Sequence, residues 1–68
     1  MKVKFETPYP RHVLPALTKG REYEVIDVDS WLGSYIVLDD EGERRAVDWL
    51  RFEDKGKRAD EFLKEISQ

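Results

Sequence analysis

Glu22-Tyr23-Glu24-Val25-Ile26-Asp27-Val28-Asp29 is the stretch whose reading decides the fold. Glu22 and Glu24 alternate with Tyr23 and Val25, the period of two that marks a half-buried strand. Ile26 then follows Val25 directly, and the alternation resumes out of phase. Tyr23 and Val25 share one face, while Ile26 and Val28 share the other. A flat sheet has no use for such a change. A strand that bends sharply, or crosses between two small sheets, buries different faces along its length. The stretch therefore predicts a strongly curved, mainly β domain.

The flanking segments fit that frame. Upstream, Val3 and Phe5 alternate with Lys2, Lys4 and Glu6 as a first strand. Pro8, Pro10 and Pro15 then forbid a helix or a central strand, so residues 7–15 read as a long ordered loop. Leu17-Thr18-Lys19-Gly20 is a turn into the long strand. Downstream, Ser34 to Leu38 is apolar on both faces and reads as the central strand. Asp39-Asp40-Glu41-Gly42 is a hairpin turn, and Glu43 to Val47 returns as its partner. Asp48-Trp49-Leu50-Arg51 reads as a single tight turn before a short last strand at Phe52. After Lys55-Gly56 the period becomes helical: Ala59, Phe62, Leu63 and Ile66 make one apolar stripe between about Lys57 and Ser67. A helix this short is not stable alone, so the stripe must cap the barrel or form an interface. The division is thus a β-barrel over residues 1–54 and an amphipathic helix over 55–68.

Composition narrows the function classes. The chain has 68 residues and no cysteine, which removes disulfides, thiol chemistry and cysteine-based zinc sites. No run approaches the roughly 20 apolar residues that span a bilayer, and the charged, alternating start lacks the apolar core of a secretion signal. A cytoplasmic location is expected. Charged residues make up 40% of the chain for a net charge of -3. The distribution says more: residues 1–21 carry +4, residues 22–43 carry -8 and residues 44–68 carry +1. A generic nucleic-acid binder is not built around an acidic block.

The order of elements is that of an SH3-like five-stranded barrel with a short C-terminal helix added. The run Leu17-Thr18-Lys19-Gly20-Arg21-Glu22-Tyr23-Glu24-Val25-Ile26 resembles the loop-to-strand segment of small bacterial and phage proteins with this barrel. Asp39-Asp40-Glu41-Gly42-Glu43 is similar to their distal hairpin, and Trp49-Leu50-Arg51-Phe52-Glu53 to their closing turn and last strand. The resemblance covers roughly residues 1–53. It implies a fold more than a function, since many such proteins have no assigned activity. Signalling SH3 domains carry an Ala-Leu-Tyr-Asp-Tyr-like stretch and a paired Trp. Here Lys4-Phe5-Glu6-Thr7-Pro8 and a lone Trp31 stand instead, so binding of proline-rich peptides is not carried over.

Each candidate residue has a functional and a structural reading. Tyr9, Trp31, Tyr35 and Trp49 lie on or beside loops, where aromatic faces can grip a peptide or a base. Equally, Tyr35 and Trp49 can close the core. Trp31, between Ser30 and Gly33, is the best candidate for an exposed interface anchor. Asp39, Asp40 and Glu41 form an acidic hairpin tip that is either solvated turn chemistry or a patch for a basic partner. The acidic block could also mimic nucleic-acid phosphate. Lys2, Lys4, Arg11, Lys19 and Arg21 could make a basic nucleic-acid face, or Lys2 and Lys4 could sit across from Glu22 and Glu24. His12 is the only histidine and has no second ligand or dyad partner in sight. The Asp27-x-Asp29 pattern puts Trp31 and Leu32 where a calcium loop needs a ligand and a Gly. No phosphate loop, nucleophile elbow or zinc spacing is present.

The sequence thus predicts a non-enzymatic protein-interaction module with no metal or cofactor, binding a protein partner of unknown identity. The alternatives are a nucleic-acid-binding small barrel that uses the basic N-terminal face, and an acidic phosphate mimic. The chain is expected as a monomer, or as a homodimer through the C-terminal helix.

Overall fold

The computed structural model of the chain describes residues 1–8 and 16–66. Four strands, β1 (Lys2–Lys4), β2 (Glu22–Asp29), β3 (Ser34–Leu38) and β4 (Arg44–Asp48), form one antiparallel sheet in that order. A 3-10 turn at Trp49–Arg51 and one helix, α1 (Ala59–Ile66), complete the fold. Among the described residues no helix is long and apolar enough to cross a membrane.

β2 carries the curvature. Its first half pairs with β1, setting Lys4 opposite Glu22, Val3 opposite Tyr23 and Lys2 opposite Glu24. Its second half pairs with β3, and the register shifts between Val25, opposite Val37, and Asp27, opposite Ile36. One extra residue on β2 is a β-bulge, and it lies where the alternation changes phase in the sequence. The bulge resets the alternation, so Val28 packs against the core that holds Tyr23 and Val25 rather than facing away from it. Ile26, at the bulge, is half-buried.

The expected closed five-stranded barrel does not form. Its fifth strand contracts to one bridge, Phe52 opposite Phe5. Backbone bonds from Glu6 N to Arg51 O (2.9 Å) and from Glu53 N to Lys4 O (2.8 Å) flank it. Beyond it, Lys55 (φ 56°) and Gly56 (φ 82°) turn the chain out of the extended conformation. The result is an open, four-stranded, mainly β sheet with one short helix.

The core is an edge-to-face chain of rings. Tyr23 meets Phe5 (centroids 6.4 Å apart), Phe5 meets Phe52 (5.7 Å), Phe52 meets Tyr35 (5.5 Å) and Tyr35 meets Trp49 (6.0 Å). Val3, Val25, Val37 and Val47 fill the space beside them. α1 adds Ala59 and Phe62, both buried, with Leu63 half-buried. The helix therefore caps the core through its stripe, which leaves little apolar surface among the described residues for the expected helix-mediated homodimer. Its approach is held by Asp54, whose Oδ2 accepts from the Tyr35 hydroxyl and from the Arg58 N–H. Arg58 in turn donates to the Lys2 carbonyl (2.9 Å). Burial and the Asp54 carboxylate push the Tyr35 hydroxyl well above its ordinary pKa. Tyr35 is wholly buried, so it belongs to the core and not to a docking surface.

Trp49 is wedged between two glycines. A Cβ on Gly33 would lie 3.4 Å from its ring, and one on Gly56 only 2.5 Å away. On the Gly56 side the Trp49 indole lies so close to the backbone that only a residue without a side chain fits, whereas a Cβ on Gly33 would make ordinary contact with the ring. This is packing, not an open aromatic face.

The hairpin acids are likewise structural. Asp39 is 6% exposed. Its Oδ1 accepts from the Glu41 and Glu43 N–H groups (2.8 and 2.9 Å), and its Oδ2 from the Arg45 guanidinium (3.0 Å). Burial pushes the Asp39 carboxyl up, but the Glu43 N–H, the Arg45 guanidinium and the Glu41 N–H outweigh it and hold the pKa below the usual range. Asp40 accepts from the Thr18 hydroxyl (2.7 Å), the Arg21 guanidinium (2.8 Å) and the Tyr23 hydroxyl (2.8 Å). The Thr18 bond is the main reason that its carboxyl is also lowered; burial opposes it, and Tyr23 and Arg21 add to it. Asp40 thereby ties the β3–β4 hairpin to the turn before β2.

Two outcomes are expected. Gly56→Ala should destabilise by about 2–4 kcal/mol, from the left-handed φ together with the Trp49 clash. Gly42→Ala, at φ 79° with open space around it, should lose only about 1–2 kcal/mol. Urea titrations that show equal losses would refute the Trp49 wedge. For pH, both Asp carboxyls lie below their unfolded value, so their stabilisation is present above about pH 4 and lost as pH falls through the folded pKa. Asp40→Asn should lower stability at pH 7 and shrink the further loss on acidification, as thermal melts between about pH 7 and 2 would show.

Candidate functional site

Of the four exposed large apolar residues among the described ones, Leu38 lies at the hairpin end of β3, and the three most exposed, Trp31, Leu32 and Leu50, gather at the other end of the sheet. The β2–β3 connection is organised by Asp29: its Oδ1 accepts from the N–H groups of Trp31 and Leu32 (both 3.1 Å), and its carbonyl accepts from Gly33 N (2.9 Å). Asp is suited to this, because a short carboxylate reaches the backbone two and three residues on. Gly33 closes the turn at φ 72°. The turn is fixed from within, and its two large side chains point out: Trp31 is 94% exposed and Leu32 69%.

The neighbouring turn repeats the device. Asp48 Oδ1 caps the 3-10 turn by accepting from Leu50 N (2.9 Å), and Leu50 is 57% exposed. A bond from Trp49 N to Gly33 O (3.1 Å) joins the two turns. Trp31, Leu32 and Leu50 therefore emerge at the same end, on backbone held by two aspartates and by the Trp49 wedge. Register places acids beside them. Asp29, Ser34 and Asp48 form one cross-strand row, and Asp27, Ile36 and Ala46 the next, both on the face opposite Tyr35 and Val47. Asp27, Asp29 and Asp48 are each bonded locally through Oδ1, and none is in an ion pair among the described residues.

The other candidates are distributed differently. Tyr9 and Arg11 lie outside the described residues, as does His12. Trp49 is half-buried in its wedge, and Tyr35 is core. Asp39 and Asp40 hold the hairpin, Asp39 buried and Asp40 exposed but bonded, and Glu41 is exposed at the tip. Of the basic set, Lys2 and Lys4 are exposed but stand opposite Glu24 and Glu22. Arg21 binds Asp40 and lies over the Tyr23 ring at 5.8 Å. Lys2 and Lys4 line a groove of about 380 Å³ with Glu22, Glu53, Asp54 and Arg58, so both signs of charge share it. Lys4 and Lys19 line an adjoining groove of about 320 Å³ with Glu6 and Glu53. Asp54 Oδ1, buried near there, accepts no hydrogen bond from the described residues.

Sequence reasoning missed Leu32 and Leu50. Their signal was present: each follows an aspartate at a turn-forming distance, Asp29 by three residues and Asp48 by two. An apolar residue held inside a turn by the carboxylate before it has no strand or helix period to hide it. Among the described residues no cluster of three or more His, Asp or Glu could hold a metal ion. Compared with known proteins, the chain matches no family model, no curated protein and no solved structure.

Proposed function

We propose that the chain is a non-enzymatic protein-interaction module that docks through the Trp31 end of the sheet. One observation carries the reading: a tryptophan 94% exposed on a turn whose backbone is already fixed by Asp29. An indole offers a large contact area, and a pre-ordered turn loses little further entropy on binding. Leu32 and Leu50 extend the apolar centre. Asp27, Asp29 and Asp48 give it an acidic rim, which favours a partner that presents apolar side chains beside Lys or Arg.

The nucleic-acid alternative has less support. A phosphate-binding face needs basic groups that are not already opposed, whereas Lys2, Lys4 and Arg21 each face an acid. The phosphate-mimic alternative is weakened because Asp39 and Asp40 are engaged in holding the hairpin.

Trp31→Ala should leave the fold and melting temperature unchanged while weakening partner binding by roughly 30-fold, the effect of an anchor worth about 2 kcal/mol. The experiment is a paired capture from lysate, wild type against Trp31→Ala, with nuclease added and read by mass spectrometry. A protein retained by wild type and lost by the folded variant supports the module. Identical protein profiles from the two baits would sink it.

A further inference from the structure

The free edge of β4 is a second feature without a partner, and its geometry can be worked out from the ladder. Gly33 and Trp49 form a hydrogen-bonded pair at one end of the β3–β4 hairpin, and Asp39 and Glu43 at the other. Bonded and non-bonded pairs alternate along an antiparallel ladder. Tyr35 with Val47, and Val37 with Arg45, are therefore the bonded pairs within the strands. Ser34 with Asp48, Ile36 with Ala46, and Leu38 with Arg44 are the non-bonded ones. The N–H and C=O groups of Arg44 and Ala46, and the N–H of Asp48, must then point away from β3, toward the open edge, while the Asp48 carbonyl accepts the first bond of the 3-10 turn. No described residue pairs with them there, since β4 is the last strand of the sheet. Arg44, Ala46 and Asp48 are exposed, and among the described residues Arg44 has no ion pair.

An edge of this kind is a template for another strand, and its charge pattern selects which one. Arg44 and Arg45 stand at one end of β4 and Asp48 at the other. We propose that β4 pairs with β4 of a second copy of this chain, antiparallel, about a two-fold axis through Ala46. In that register each outward-bonding residue meets another: Ala46 meets the partner's Ala46, and Arg44 meets the partner's Asp48, once on each side of the axis. The three pairs together form roughly four main-chain hydrogen bonds, two between the Ala46 residues and one from each Asp48 N–H to the partner's Arg44 carbonyl. The charged pairs are cross-strand neighbours on one face, where opposite signs stabilise. Other registers lose this match. A parallel, in-register pairing sets Arg44 beside the partner's Arg44, and an antiparallel slip by two residues sets Arg45 opposite the partner's Arg45. Ala46 at the axis has no bulk to keep the strands apart. The interface is isologous and closed, so it stops at two copies. It is also small, so the dimer is weak, with a Kd of roughly 0.1–1 mM. It does not use Trp31, Leu32 or Leu50, and it shares only Asp48 with the docking reading above.

The test is sedimentation together with amide hydrogen exchange by NMR, at low salt, up to about 2 mM chain. The expected result is dimer formation, with the Ala46 and Asp48 amides becoming slower to exchange as concentration rises. Arg44→Glu sets a carboxylate against the partner's Asp48 and should weaken the dimer at least tenfold. Lys57→Glu makes the same change in net charge at an exposed turn outside β4 and should have a clearly smaller effect. Ala46→Pro removes one outward N–H, a position where an edge strand tolerates proline, and should abolish association while circular dichroism remains native. A monomer throughout, protection elsewhere than on the β4 edge, or equal effects of Arg44→Glu and Lys57→Glu would each overturn the proposal.

Discussion

A continuous chain of edge-to-face rings, Tyr23–Phe5–Phe52–Tyr35–Trp49, is the interaction on which the remaining structure depends. Each contact contributes about 0.5–1.5 kcal/mol beyond the area it buries. The chain matters more here than in a larger protein, because 68 residues without a cysteine have no staple and only a small core. Its members come from β2, β3, the turn after β4 and both sides of the Phe5–Phe52 bridge that follows β1. The rings therefore cross-link the elements of the sheet where hydrogen bonding stops. The Phe5–Phe52 contact in particular joins segments that share just one backbone bridge.

How far the sequence disclosed this depends on the range of the interaction. The bulge was legible, because a phase change from Val25 to Ile26 is a local fact about a strand. The hairpin at 39–42, the tight turn at 48–51 and the Ala59–Phe62 stripe were legible for the same reason. Barrel closure was not. It depends on how many residues beyond Phe52 stay extended against β1, and the positive φ at Lys55 and Gly56 ends that run at once. Tyr35 was ambiguous since β3 is apolar on both faces, so alternation could not say which face was inside. The hairpin acids were misjudged as surface charge for a related reason. A carboxylate that collects two N–H groups and a guanidinium, as Asp39 does, has the same sequence signature as one that faces water.

Among the proposed docking residues, Trp31 was legible and Leu32 and Leu50 were not. The difference is one of size and context. A lone Trp between Ser30 and Gly33 is conspicuous, whereas a Leu beside a strand end reads as core by default. The register of Ser34 with Asp48 and the bond between Trp49 and Gly33 reveal that the two turns lie side by side.

Trp49 also connects the core to this surface. Its ring ends the aromatic chain, its N–H holds the turn that bears Trp31, and its face rests on Gly56, two residues after Asp54. Asp54 receives the Tyr35 hydroxyl and the first N–H before α1. Core, helix approach and exposed turn thus share one small set of contacts, and none can move far without the others. A rigid surface of this kind suits a binding module, because its contact residues need little ordering when a partner arrives. The same reasoning separates the Trp31 end from the β4 edge. The first is held by side chains buried beneath it, whereas the second is main chain whose donors and acceptors face solvent. Asp48 belongs to both. Its Oδ1 and its carbonyl hold the turn that presents Leu50, and its N–H points to the open edge. Through this residue, strand pairing on one side and partner docking on the other would act on the same turn.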